Sequence, residues 1–466
     1  MKLKFNLEKA FFLLIISMLL PAILFLTSCG IFKGKEADVV QTDTVAETSL
    51  TLQEVESSPS GLLEINVWDD LNPKEQIELM NDLEQFSKEN QGIKVKSRHL
   101  RSEEELIDQF KAASLAGAGP EILISRIEAS STLAAASVLK PLTDEKYYSD
   151  ILSGLLEMSR YEDKRFVIPF RAYDFLMLFY NKDLVQTVPA TFSDLLAYCQ
   201  EVNDPKEETY GFLLNAKEAD WIIPFIGGYQ DWIYDYDSGA ISLDSEAMLQ
   251  TLKFLEKVYK EDKLLPYDYE YEDINNAFLS GKAHMIINGS WAVNEYTEAG
   301  LNFGVAKIPI VWEGYKNPTP MIDGYGFMVN INCFGESLGA ANKLIAYFMS
   351  TGVQEKWNNG TQTVSVLKSM EQLSTVKNDQ NFTGQFEQAV ICRGKPPEDI
   401  LRFIRDAIMI NAENVLNGNI TSEEAIIKMQ EDALNLKSGK TGESETASTA
   451  VKQTETTNGK TAETSG

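Results

Sequence analysis

Short runs of alternating apolar and polar residues are followed along this chain by longer stretches with helical spacing. Residues 63–67 alternate strictly and predict a strand. Asn72-Pro73 then places a capping residue before proline, which predicts a helix start. The apolar side chains predicted to face the core from this helix are Ile77, Met80, Leu83 and Phe86. Further elements with the same two patterns are strands over 93–99 and 121–125 and a helix from residue 102. This order predicts a parallel sheet with helices on both faces.

A later stretch, from Phe278 to Trp291, combines a helix end, a strand and a turn. Gly281 ends the helical pattern, since glycine tolerates the left-handed conformation that closes a helix. Residues 283–287 are predicted to form a buried strand, and residues 288–291 a turn at its carboxyl end. Ligands bind at that end of the strands in open α/β sheets. We therefore predict that Trp291 contacts a ligand; the alternative is a tryptophan buried in the core.

The stretch FLSGKAHMIINGSW resembles the motif F-x-x-G-x-A-x-M-x-I-x-G-x-W of bacterial extracellular solute-binding proteins that serve sugar ABC transporters. Gly119-Pro120-Glu121-Ile122 resembles the G-P-D-I motif of the same family, and residues 166–184 resemble its Y-N-K-D-L crossover. These motifs occur in the same order as in the family, and the resemblance extends over residues 62–436. It implies an α/β, two-lobe periplasmic-binding-protein-like fold (type II). Each lobe would be a mostly parallel sheet flanked by helices, with a hinge between the lobes.

The resemblance and the local composition divide the chain into successive segments. They are a lipoprotein signal peptide at 1–28, a flexible tether at 29–61, a first lobe at 62–172 and 321–375, a second lobe at 173–320 and 376–436, and a disordered tail at 437–466. Leu26-Thr27-Ser28-Cys29 follows a positively charged and then an apolar segment, and it resembles the lipobox of bacterial lipoproteins. This implies that Cys29 is lipidated and holds the protein at the outer side of the cell membrane. The alternative is an uncleaved membrane anchor, although Pro21 interrupts an already short span.

Composition narrows the classes of function. A chain of 466 residues is long enough for roughly two to three domain equivalents. Its net charge of −27 argues against nucleic acid as a partner, since phosphates attract basic surfaces. The sequence has two histidines and no CxxC pair, so we predict no metal site and no cofactor. Cys199, Cys333 and Cys392 are expected to be buried free thiols, with one disulfide among them as the alternative.

Carboxylates and aromatic residues occur together in the loops predicted at strand ends. A neutral sugar offers hydroxyl groups and weakly apolar ring faces, which such residues bind as acceptors and platforms. The predicted ligand contacts are Trp68, Asp69, Glu128, Asp174, Glu218, Asp220, Trp221 and Trp291. By the resemblance, Glu128, Asp174 and Glu218 correspond to acceptors of sugar hydroxyls in maltodextrin-binding relatives. Trp291 corresponds to their stacking aromatic residue.

The sequence departs from those relatives at several site positions. Residues that are aromatic or arginine in the relatives are here Ser125, Ala129, Asp220 and Arg402, the last beside Phe403. These replacements remove aromatic surface but keep acceptors for a carbohydrate. Other interpretations stay open for individual residues: solvated loop positions for Asp69, Asp70, Asp231, Asp235 and Asp237, a calcium loop for the last three, and packing in strands for His99 and His284.

The leading hypothesis is a monomeric binding protein and not an enzyme. It would capture a sugar or oligosaccharide by hinge closure and deliver it to the permease subunits of an ABC importer. A second hypothesis is a binder of a polyamine or another cationic solute, since acids and aromatic rings also suit cations. A third is a surface carbohydrate-active enzyme with Asp174 and Glu218 as its carboxylate pair. Salt dependence of binding separates the first two, because only charged ligands are screened.

Overall fold

The computed structural model describes residues 61–312, 314–361 and 363–439. The predicted signal peptide, Cys29 and nearly all of the predicted tether and tail lie outside these residues. Helices flank two sheets. They are α1 (Pro73–Glu89), α2 (Glu103–Leu115), α3 (Ala129–Ala135), α4 (Ser153–Met158), α5 (Phe192–Val202), α6 (Ala219–Gly228), α7 (Glu246–Glu256), α8 (Tyr271–Leu279), α9 (Ala292–Glu298), α10 (Gly335–Phe348), α11 (Thr351–Thr361), α12 (Ser374–Asn378), α13 (Gln380–Ile391), α14 (Glu398–Leu416) and α15 (Ser422–Lys437).

Strands lie between these helices in the chain, singly or several in succession. They are β1 (Leu63–Asp69), β2 (Ile93–His99), β3 (Ile122–Arg126), β4 (Arg160–Tyr161), β5 (Lys164–Arg165), β6 (Val167–Tyr173), β7 (Leu176–Asn181), β8 (Met285–Gly289), β9 (Phe303–Ala306), β10 (Met321–Val329), β11 (Val364–Ser365) and β12 (Arg393–Gly394). Among the described residues, no helix is both long and apolar enough to cross a membrane.

The first sheet has the order β11-β6-β10-β3-β1-β2, with β12 beside β10. β1 pairs in parallel with both β2 and β3, as the strand and helix patterns predict. β10, which follows β9 of the second sheet in the chain, pairs antiparallel with β3 and β6. The sheet is therefore mixed, and the parallel part is the part that the sequence pattern identified.

The second sheet is formed by β8-β7-β9, and both of its pairings are antiparallel. The expectation of mostly parallel strands is wrong for this sheet. β7 starts directly after the chain leaves the first sheet and runs away from it. β8 runs back, so that Gly289 at its carboxyl end lies opposite Leu176 at the start of β7. This pairing brings the turn after β8 to the place where the chain passes between the sheets.

Within the described residues, the chain passes between the two sheets at three places. The first connection joins Tyr173 of β6 to Leu176 of β7, and the second joins Ala306 of β9 to Met321 of β10. The third follows β12, which pairs with β10 in the first sheet and leads into α14. Side chains on one face of β7 pack with a large apolar cluster around the first sheet, and those on its other face pack with helices α5, α6, α7 and α14.

Helix α1 is capped as predicted but buries a different face. Asn72 accepts the backbone N–H of Glu75 at 3.1 Å, which confirms the predicted start. Leu83 and Phe86 are buried as predicted. Ile77 and Met80 are exposed, and the buried face includes two acids, Glu75 and Asp82. Arg171 pairs with Glu75, and Trp357 donates to Asp82, so both acids are bound by residues of other elements. The spacing of apolar residues alone therefore predicted the wrong buried face for α1.

The three cysteines in the described part of the chain, Cys199, Cys333 and Cys392, are buried free thiols, the first of the two alternatives above. The histidines pack beside strands. His99 Nδ1 lies 2.8 Å from Asp69 Oδ1, and His284 Nδ1 lies 2.7 Å from Tyr198 Oη.

Candidate functional site

The turn after β8 holds Trp291 at the junction of the two sheets. Ser290 fixes the turn from both sides, because its backbone N–H donates to Phe175 O at 2.9 Å and its Oγ accepts the N–H of Asp174 at 3.0 Å. A Cβ atom on Gly289 would overlap the Trp291 indole, so this close approach requires glycine. The turn therefore places Trp291 beside Asp174.

Trp291 is half-exposed, with 44% of its surface accessible, so the interpretation as a core residue is wrong for it. Its Nε1 donates to Tyr271 Oη at 2.9 Å, which fixes the plane of the ring. Trp221 packs edge-on against it at 6.3 Å between ring centroids. Trp221 itself is 5% exposed, and its Nε1 donates to Ile287 O. Trp221 thus supports Trp291, which offers a fixed aromatic surface to solvent.

Two carboxylates near this surface are partly withdrawn from water. Asp174 lies in the connection between β6 and β7 with a φ of 58°, a left-handed conformation. Burial raises the pKa of Asp174, and the charges of Lys395 and Arg126 oppose the rise. Burial likewise raises the pKa of Glu218, which accepts the amide of Asn215 at 2.9 Å.

Two basic residues that the sequence analysis did not identify lie at the same place. Arg405 makes a bidentate pair with Asp220, with both N–O distances 2.7 Å, and binds Glu398 at 2.8 Å. Lys395 lies 3.2 Å from Glu398 and 3.9 Å from Asp323. One feature of the sequence could have identified Arg405. It follows Arg402 by three residues on one helix, so the two lie on the same face, and Arg402 occupies a ligand position of the relatives.

These residues enclose a cavity of about 40 Å³. Its lining consists of Asp174, Leu176, Asp220, Trp221, Trp291, Met321, Lys395 and Arg405. Ligand pockets usually have volumes of ~300–1,000 Å³. A ligand that needs such a volume would therefore fit only if the lining residues separated.

The remaining predicted contacts lie outside this cavity. Asp69 is fully buried; its Oδ1 faces His99 and its Oδ2 accepts from Ser97 at 3.1 Å. It is therefore neither a solvated loop residue nor available to a ligand. Trp68 lies under the guanidinium of Arg98, 4.6 Å from the ring centroid. Glu128 is connected to the site, since its Oε1 accepts the N–H of Glu398 at 3.0 Å.

A second group of acids lies deeper on the side of the first sheet. Burial and the nearby Glu103 carboxylate raise the pKa of Asp70 to about 7, and burial raises that of Asp323 to about 6. Asp70 Oδ1 and Asp323 Oδ2 are buried without a hydrogen-bond partner in the described residues. Burial therefore raises the pKa values of both acids toward neutral pH.

We expect the raised pKa of Asp70 to make unfolding depend on pH. The folded protein binds this proton more tightly than the unfolded chain, so Asp70 favours folding as the pH falls from about 8 to about 5. Thermal unfolding should show that Asp70→Asn loses part of this gain in Tm relative to the parent protein. Asp108→Asn, an exposed acid on α2, is the matched control. An unchanged pH profile in Asp70→Asn would contradict the prediction.

A comparison with known families identifies the class of protein. The family model described as bacterial extracellular solute-binding protein matches residues 83–384, which is more than half of the chain. The chain belongs to this family.

The solute-binding protein is also similar to curated relatives. It is 28% identical to the maltotriose-binding protein of Pyrococcus abyssi over 61% of this chain and 63% of that protein. It is 24% identical to the galactooligosaccharide-binding protein of Bacillus subtilis over 66% of this chain and 73% of that one. The chain spans less than two thirds of the length of the first of these relatives.

Solved structures of solute-binding proteins share the fold. An extracellular solute-binding protein from Staphylococcus aureus in complex with maltose matches with a TM-score of 0.71, at 21% identity, over 82% of this chain and 98% of that one. A maltose/maltodextrin-binding domain from Bdellovibrio bacteriovorus bound to maltotriose matches with a TM-score of 0.58 at 26% identity, over 80% and 99%. These matches confirm the predicted two-lobe α/β fold.

Two much larger cavities in this solute-binding protein contain none of the predicted contacts. Their volumes are about 930 and 700 Å³, and they share Asp231, Trp232 and Arg393. A choice by cavity volume alone would have assigned the ligand site to one of these two cavities. The half-exposed Trp291 and the carboxylates of Asp174 and Asp220 instead meet at the small cavity between the sheets.

Proposed function

We propose that this solute-binding protein captures a sugar or oligosaccharide between its lobes by hinge closure and delivers it to the permease subunits of an ABC importer. The observation that carries the proposal is Trp291, held half-exposed at the junction of the lobes beside the carboxylates of Asp174 and Asp220. An aromatic face with adjacent carboxylates suits the apolar ring face and hydroxyl groups of a sugar.

The relatives support the same ligand class. Three of them are named as binding proteins for maltotriose, galactooligosaccharide or maltodextrin, and two are named maltooligosaccharide ABC transporter solute-binding lipoproteins. We propose that residues 62–172 and 321–375 form the lobe on the first sheet, and that residues 173–320 and 376–436 form the other, apart from β12, which pairs with β10 of the first sheet. Closure would bring Glu128 of the first lobe toward Asp174, Glu218 and Trp291 of the other.

A neutral ligand fits the charges of the cavity better than a polyamine. Lys395 and Arg405 both line it, and Arg405 already neutralises Asp220. A cationic solute would have to displace or approach these two charges. We also propose a binding role and not a catalytic one: Asp174 and Glu218 are acceptors for ligand hydroxyls, and incubation with maltotriose is expected to leave that sugar intact.

A thermal-shift screen with maltotriose, a galactooligosaccharide and spermidine tests the ligand class. A ligand at about 100 times its Kd stabilises the folded state by ~2.7 kcal/mol. We expect the shift with one of the sugars, and we expect it to be insensitive to added salt. A shift with spermidine alone that falls as salt is added would show that the ligand is a cation and would refute the proposal.

We further propose that Cys29 carries the lipid that anchors this protein outside the cytoplasm. Several acyl chains on one residue would give firm attachment, since each buried methylene contributes about 0.8 kcal/mol. Labelling cells with palmitate is expected to mark the full-length protein and not Cys29→Ala. The Cys199→Ala variant is the control, because that thiol is buried in the folded protein. Equal labelling of Cys29→Ala would exclude this attachment site.

A further inference from the structure

Helix α14 begins at the third connection between the sheets. β12 pairs with β10 in the first sheet and ends at Gly394, and α14 begins at Glu398. Two of the three residues between them, 395–397, are prolines, whose rings fix the backbone φ angle. Buried side chains of α14, among them Leu401 and Ile408, pack in the same apolar cluster as α6 and α7. α14 therefore belongs to the second lobe, and it begins at the border with the first.

The first N–H group of α14 is bound by an acid of the first lobe. The N–H groups in the first turn of a helix have no partner within the helix. Pro397, at the N-cap position of α14, offers no side-chain acceptor. Glu128 Oε1 instead accepts the N–H of Glu398 at 3.0 Å, and the positive end of the helix dipole favours a carboxylate there. Because Glu128 directly precedes α3, this bond joins the first lobe to the second.

Ion pairs beside this bond connect it to the small cavity. The Glu398 carboxylate binds Arg405 at 2.8 Å and Lys395 at 3.2 Å. Lys395 also lies 3.9 Å from Asp323 of β10. Lys395 and Arg405 both line the small cavity, whose volume of about 40 Å³ is well below the ~300–1,000 Å³ of usual ligand pockets. The bond from Glu128 therefore holds the lobes at a separation that is too small for an oligosaccharide.

An ion pair on another side of the molecule also joins the lobes but holds them less firmly. Lys74 of α1 lies 3.9 Å from Glu298 of α9, and their side chains are 67% and 76% exposed. Exposed ion pairs contribute little, because water screens the charges and two flexible side chains lose freedom. In the bond to α14 the N–H is already fixed by the helix, so only the Glu128 side chain loses freedom. Of these two contacts, the one made by Glu128 therefore sets the separation.

We propose that Glu128 is a positioning residue that latches the two lobes together, and that it is not an acceptor for the ligand. Its carboxylate holds the N-terminus of α14, and the small cavity widens only when this bond breaks. The latch lowers the fraction of molecules that can admit a ligand, which raises the apparent Kd in inverse proportion to that fraction. Such a latch rests on the proposed capture by hinge closure. It gives Glu128 the opposite effect on affinity from the one that the resemblance implies.

The sign of the effect of Glu128→Ala separates the two roles. Without the latch a larger fraction of molecules is open, so we expect maltotriose or the galactooligosaccharide, whichever the screen retains, to bind about three- to tenfold more tightly than to the parent protein. Removing an acceptor of ligand hydroxyls would instead weaken binding by about 10- to 100-fold. Calorimetric titration measures the Kd. Lys74→Ala is the control and should leave the Kd unchanged, because it removes only the exposed ion pair.

Two substitutions at Glu398 distinguish its backbone N–H from its carboxylate. Glu398→Ala loses the carboxylate and keeps the N–H, whereas Glu398→Pro loses both. Proline is well tolerated at the first position of a helix, so α14 should stay intact. Adding Glu128→Ala is expected to tighten sugar binding about three- to tenfold in the Glu398→Ala protein. In the Glu398→Pro protein the same addition should change the Kd by less than about twofold, because the bond is already absent there.

Small-angle X-ray scattering detects the separation of the lobes without a ligand. The radius of gyration of the full-length protein is expected to be larger for Glu128→Ala and for Glu398→Pro than for the parent protein and for Lys74→Ala. All four proteins have the same residues before and after the lobes, so a difference in radius comes from the lobes.

The outcomes decide the latch and the proposed function separately. A radius of gyration that does not increase in Glu128→Ala would overturn the latch. So would sugar binding that Glu128→Ala leaves unchanged or weakens, and weaker binding would assign Glu128 to the ligand. If no sugar binds to any of these proteins while the radius increases in Glu128→Ala, the latch stands and the proposed function is refuted.

Discussion

Replacing Trp291 by alanine is expected to weaken sugar binding by at least about 30-fold while the protein stays folded. The indole is a fixed, half-exposed aromatic surface, and central residues of this kind contribute ~2 kcal/mol or more to binding. Loss of its edge contact and of its bond to Tyr271 should lower the free energy of unfolding by only about 1–2 kcal/mol. Calorimetric titration with the sugar retained by the screen, together with thermal unfolding, measures both quantities.

Trp221→Ala is the matched control for this prediction. Trp221 is buried and donates to Ile287 O, so its removal leaves a cavity and an unpaired carbonyl. Such a change costs ~3–5 kcal/mol of stability. The two substitutions should therefore differ in their main effect. Trp291→Ala should cause the larger loss of binding, and Trp221→Ala the larger loss of stability. If Trp291→Ala unfolds the protein as Trp221→Ala does, Trp291 is a structural residue and the proposed site is wrong.

The parts of the fold that depend on neighbouring residues were predictable from the sequence. Asn72 caps α1 through contacts only three residues away, and Gly281, with a φ of 74°, follows α8 as the local pattern indicates. The turn after β8 was also predicted from its own residues, although Phe175 and Asp174 hold it through Ser290 in the folded protein. The strands β1, β2 and β3 are joined by helices, and such connections impose the parallel pairing that the pattern predicts.

The errors arise where distant residues decide the outcome. Glu75 and Asp82 are buried because Arg171 pairs with the first and Trp357 donates to the second, and neither partner is visible in the spacing of α1. Asp69 is buried for a similar reason, since Ser97 and His99 of the neighbouring strand bind it. In each case a hydrogen bond or ion pair compensates the burial of an acid, and apolar periodicity carries no information about such pairs.

The same reasoning applies to the candidate site. Its aromatic surface was predicted because the motif around Trp291 is contiguous. Its basic residues were missed because Arg405 and Asp220 are 185 positions apart in the chain and meet only in the folded protein. The carboxylates were therefore predicted as free acceptors, whereas one of them is already neutralised.

Replacing Arg405 by methionine is expected to change which ligands the cavity accepts. The variant leaves Asp220 and Glu398 without this counter-ion. Asp220 also loses the two parallel hydrogen bonds from the guanidinium that orient its carboxylate. Hydrogen bonds to charged groups contribute ~1.5–3 kcal/mol, so we expect sugar binding to weaken by about 10- to 100-fold. The affinity for spermidine should rise, and this gain should diminish with added salt because it is electrostatic.

Two further variants separate charge from geometry in this prediction. Arg405→Lys keeps the positive charge but loses the planar guanidinium and its paired hydrogen bonds. It should therefore weaken sugar binding without raising the affinity for spermidine. Arg402→Met removes an exposed arginine on the same helix, which lies over Phe403 and does not line the cavity, and should leave both ligands unaffected. If sugar binding is retained in Arg405→Met and lost in Arg402→Met, then Arg402 contacts the ligand and Arg405 does not. The cavity would then extend along α14 in the direction where the relatives place their stacking aromatic residue, and the pair of Arg405 with Asp220 would serve only to hold α14 against α6.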